Sequence, residues 1–139
     1  MEDFAAIFGI CFVCASIIIV YGTIRCKMPG FTDPLTYSAV PAPWNRFLDG
    51  WGIAHFLFYG MLGYLYPARW LFITCLGILW ELIEMQFKDH PFYLSKCSYD
   101  VNTDAAAGGA PGWWYGRWED IVMNTAGMLI GIALARRAA

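Results

Sequence analysis

The sequence predicts an all-α fold, an integral membrane bundle of four transmembrane helices forming one domain over residues 1–139. Three observations predict it. Apolar residues make up 59% of the chain and charged residues 14%, against about 25% charged in soluble domains. The apolar residues gather in runs at about 4–24, 49–66, 70–87 and 118–135, each near the ~20 residues that a helix needs to cross a bilayer. Polar groups inside those runs sit three or four residues apart, the spacing of one helix face. A net charge of −2 with no basic tract excludes nucleic acid as the expected partner.

The first span, Phe4 to Ile24, holds no carboxylate, imidazole or basic side chain. Its flank is acidic, Glu2 and Asp3, where a secretory signal would be basic, so it reads as a retained anchor. Cys11 and Cys14 form a C-x-x-C string without the βαβ context that gives such a pair redox meaning. Arg25 to Phe47 is a connector with four prolines, which favour extended or turn backbone. Trp44 and Phe47 suit the membrane interface.

Asp49 can cap the second span, whose Gly50, Gly52, Gly60 and Gly63 permit close helix approach. Pro67-Ala68-Arg69 is a tight connector, so the second and third spans are expected to run antiparallel. The third, Trp70 to Phe87, carries Glu81 and Glu84; Lys88 can pair with Glu84 four residues away. Asp89 to Arg117 is a long connector. Its Asp100-x-Asn102-x-Asp104 starts like a calcium loop, but Ala105 and Pro111 stand where that loop needs Gly and Glu. The fourth span, Trp118 to Ala135, opens with Glu119, Asp120 and Asn124 and continues through Gly127-x-x-x-Gly131. Six positive charges fall on the two long connectors and three on the other side, which places the long connectors in the cytoplasm.

Two charges on one face of a membrane helix are costly, at about 2.5–3.5 kcal/mol each. Something must offset them: a cation, a buried partner or a wet cavity. His55 on the second span, Glu81 and Glu84 on the third, and Asp120 and Asn124 on the fourth cannot all face lipid, so they are expected to converge. Counted from Asp49, Lys88 and Asp120, all lie in the same half of the membrane, near one headgroup layer. Glu81, Glu84, Asp120 and Asn124 are oxygen donors suited to Ca²⁺, with Mg²⁺ or Mn²⁺ as alternatives. The di-iron alternative lacks its Glu-x-x-His pairs. His55 is then left as base or nucleophile, with Glu81 and Asp120 also candidate catalytic groups. Asp49, Tyr59 and Glu119 are candidate substrate contacts. The bland alternative is a polar cluster that only holds helices together.

Asp49-x5-His55-Phe56, Trp80-Glu81-Leu82-Ile83-Glu84 and the run Trp118 to Gly131 resemble the base-exchange phosphatidylserine synthases. The same residues are similar to the VanZ-like small membrane proteins. The resemblance covers about Asp49 to Arg137, as if the chain were the catalytic core of the longer synthases. It implies calcium-dependent exchange of a phospholipid headgroup for serine or another small alcohol, with His55 catalytic and Glu81, Glu84, Asp120 and Asn124 completing the site. The synthases' spacing selects Glu119 as the partner of Asn124, and the VanZ-like spacing selects Asp120. For a eukaryotic or viral chain the implied location is an endoplasmic-reticulum-type membrane, and a homo-oligomer is compatible with this reading. The VanZ-like side implies instead a non-catalytic membrane protein or accessory subunit. The CDP-alcohol phosphatidyltransferase motif is absent, because no Asp lies between Asp49 and Asp89.

Overall fold

The computed structural model describes residues 2–27, 33–87 and 116–138. Helix accounts for 86% of them, and they contain no strand. The α-helices are α1 (Glu2–Lys27), α2 (Gly50–Leu65), α3 (Trp70–Phe87) and α4 (Trp118–Ala138). Short 3₁₀ turns occupy Pro34–Thr36, Trp44–Arg46 and Pro67–Arg69. The chain divides into two units, Met1–Asp33 with Ile83–Tyr115, and Pro34–Leu82 with Gly116–Ala139. The expected Glu84–Lys88 pair and the Asp100–Asp104 turn lie outside the described residues.

In the first unit, α1 is apolar around its circumference. Phe8, Phe12, Val13, Ile17 and Val20 are each more than half exposed, whereas Ile7 is buried. A soluble helix hides one stripe; this one offers apolar side chains on nearly every side, as a lipid-facing helix does. Its Ser16 and Thr23 hydroxyls are satisfied within the helix, Ser16 donating to Phe12 O and Thr23 to Ile19 O. Near the far end the Tyr21 hydroxyl donates to the buried Asp33 carboxylate at 2.6 Å.

The second unit is organised on the crossing of α2 and α4. Glycine makes it close. A Cβ on Gly131 would collide with Gly60 O, and one on Gly127 would collide with Phe56 O. The G-x-x-x-G of α4 therefore sits backbone to backbone against the Gly60 region of α2. Gly52, by contrast, serves the start of α2: its N–H donates to the Asp49 carboxylate at 2.7 Å, and a Cβ there would strike Phe47 O. Gly77 on α3 leaves room for the buried Tyr59 ring.

Between α2 and α3 the chain turns through 110°, not the full reversal expected from the tight connector. Tyr66, at φ −131° and ψ 56°, leaves the helical path, and Pro67 opens the 3₁₀ turn that launches α3. α1 and α4 are each long and apolar enough to cross a membrane. α2 has 16 residues, short of the ~20 required; with α3 it meets the length and composition requirement as a bent pair.

Candidate functional site

The polar residues of the second unit gather where α2 and α4 begin and α3 passes. Asp49 caps α2, its backbone extended so that Oδ1 turns back to Gly52 N–H. His55 lies six residues further, about 9 Å along the axis. Its Nδ1 is 2.8 Å from Asn124 Oδ1 on α4 and 3.6 Å from Glu81 Oε1 on α3. A carbonyl oxygen only accepts, so Nδ1 carries a hydrogen. That assignment follows from the amide orientation, in which Asn124 Oδ1 faces the ring and Nδ2 makes no hydrogen bond.

Glu81 is fully buried. Its Oε2 accepts from the Arg117 backbone N–H at 3.3 Å, whereas Oε1 makes no hydrogen bond. Buried polar atoms without partners are rare and call for an explanation. Here three donor atoms, one each from His55, Glu81 and Asp120, lie within 4.8 Å of one another. That is the spread a single cation can bridge with bonds of about 2.4 Å. The two carboxylates are oxygen donors that Mn²⁺, Mg²⁺ or Ca²⁺ can use, with the His55 ring, tied to Asn124 through Nδ1, standing beside them.

Arg117, immediately before α4, was not singled out by sequence. Its NH1 donates to Asp49 Oδ2 at 2.8 Å, and its Nε and NH2 donate to the two oxygens of Asp120 at 3.2 and 3.4 Å. Burial works against the guanidinium charge, but the hydrogen bond to Asp49 and the charge of Asp120 outweigh it, so its pKa is raised above the usual arginine value. The signal was present: Arg117 precedes Asp120 by three residues, a same-face spacing. Arg46 was likewise counted only as a connector charge. It pairs with Glu119 at 3.2 Å, and the Glu119 side chain is 4% exposed.

Among the predicted residues, His55, Glu81, Asp120 and Asn124 are thus brought together, with Asp49 joined through Arg117. Glu119 is buried but committed to Arg46. Tyr59 lines, with Asn124, Thr74 and Met128, a narrow crevice between α2, α3 and α4. Glu84 is buried and belongs to the other unit; the His55–Glu81–Asp120 group does not include it. No protein-family model matches this chain, and no curated protein or solved structure matches it.

Proposed function

We propose that the chain is a four-span membrane transferase that exchanges the headgroup of a phospholipid for serine or another small alcohol, with Ca²⁺ held at the Glu81–Asp120 end of the cluster. The observation that carries this reading is the group of His55, Glu81 and Asp120 donor atoms within 4.8 Å, on a Glu81 side chain one of whose oxygens is buried without a hydrogen bond. A bound cation supplies electrostatic stabilisation for a phosphodiester that gains negative charge in the transition state. His55 does the proton work. Asn124 holds the ring through Nδ1, and Nε2 takes the proton of the incoming hydroxyl as its oxygen bonds to phosphorus. The bond from phosphorus to the departing alcohol breaks, and the imidazolium returns its proton to that oxygen.

The test uses purified protein with phosphatidylcholine, labelled serine and Ca²⁺. Labelled lipid should form, disappear with chelator, and fall by about a hundredfold or more in a folded His55→Ala variant. Absence of labelled lipid under every condition removes the transferase reading. A second reading, a non-catalytic membrane protein, is favoured by the arginine pairs, which satisfy Asp49, Glu119 and Asp120 internally. It expects His55→Ala to reduce the yield of folded protein, with no exchange to lose.

A further inference from the structure

We infer that Arg117 occupies the place of a second cation, so that the cluster takes one divalent ion and not two. The inference rests on the cation site proposed above and concerns how many ions that site admits.

Charge and position both argue for it. Asp49, Glu81 and Asp120 bring three carboxylates together, each less than 5% exposed. One guanidinium stands among them. It touches Asp49 through NH1 and both Asp120 oxygens through Nε and NH2, the contacts a bridging metal ion would make. The same residue's backbone N–H takes Glu81 Oε2. Arg117 is thus bonded to all three carboxylates and leaves Glu81 Oε1 as the oxygen without a hydrogen bond. When all three carboxylates are ionised, three negative charges against one positive leave a deficit of two, which one divalent cation cancels. Two divalent cations beside Arg117 would overshoot it.

The geometry divides the carboxylates by role. One oxygen each of Glu81 and Asp120 lies with a His55 ring nitrogen about a shared position, whereas Asp49 Oδ2 and both Asp120 oxygens contact the guanidinium. Asp120 is the bridge, as a carboxylate is between two metal ions. A guanidinium differs from a metal ion in that it cannot leave: it is tethered to the chain and stays protonated in proteins. The protein thereby keeps one of the cluster's three negative charges permanently neutralised and leaves the other two to an exchangeable ion. Arg117 acts as a positioning residue, fixing Asp120 so that one oxygen edge is presented to the ion.

Mn²⁺ binding to the purified full chain, read by electron paramagnetic resonance, tests this. The native chain should bind about one Mn²⁺, and Arg117→Met about two, because the freed Asp49 and Asp120 oxygens then take the second. Arg117→Lys keeps the charge and should stay at about one. If Arg117→Met is unstable without metal, Mn²⁺ should raise its melting temperature more than it raises that of the native chain, since an ion replaces the lost charge. An Arg117→Met chain that still binds one Mn²⁺ and gains no extra stability from it overturns the inference while leaving the one-ion site intact. A native chain that binds no Mn²⁺ fails at the earlier step, the cation site itself.

Discussion

Asp49 carries two separable duties. Its Oδ1 caps α2 and its Oδ2 holds Arg117. Asp49→Asn keeps an oxygen for the cap but removes the charge; Asp49→Ala removes both. Breaking a buried ion pair by deleting one partner costs about 3–5 kcal/mol, and losing an N-cap costs about 1 kcal/mol. Denaturation in detergent should therefore rank native above Asp49→Asn and Asp49→Asn above Asp49→Ala. Equal stability of the two variants would deny the cap. The acidic and imidazole members of this cluster were legible in the sequence because an ionisable group in an apolar run is conspicuous. The arginines were not. Arg46 and Arg117 sit on polar connectors, where a charge is ordinary, and their pairing with buried carboxylates depends on how those connectors fold back onto α2 and α4.

The α2–α4 crossing depends on the absence of side chains. A Cβ on Gly131 or Gly127 meets backbone carbonyls, which cannot rotate away as a side chain can. Gly131→Ala should cost at least the ~1–3 kcal/mol of ordinary overpacking and lower the yield of folded protein. Gly9→Ala on α1 meets nothing within 4 Å and should be neutral or stabilise by about 0.5–1 kcal/mol. Similar losses at both positions would contradict the close crossing. The four α-helices of the described residues were legible as apolar runs, to within a few residues at their ends. The 110° turn between α2 and α3 was not, because it depends on the backbone angles of Tyr66 and the 3₁₀ turn after it. A short connector argues for adjacency but leaves the angle open.

For the whole molecule, the number of crossings decides where the chain ends lie. α1 and α4 each have the length and composition to cross, and α2 with α3 meet the requirement as a bent pair. Four separate crossings put residues 2 and 138 on the same side of the membrane; a single bent crossing by α2 and α3 puts them on opposite sides. In a cysteine-free chain in sealed vesicles, Glu2→Cys and Ala138→Cys should react from the same side with an impermeant maleimide. Labelling from opposite sides would replace the four-span proposal with three crossings. Both arrangements retain the cluster, because His55, Glu81 and Asp120 are held together within one unit of the chain. The most direct test of that cluster is an Mn²⁺ titration of the native chain beside Glu81→Gln, Asp120→Asn and Glu84→Gln. The account predicts that affinity falls about tenfold or more in the first two variants and is kept in the third; binding that is indifferent to Glu81 and Asp120 would contradict it.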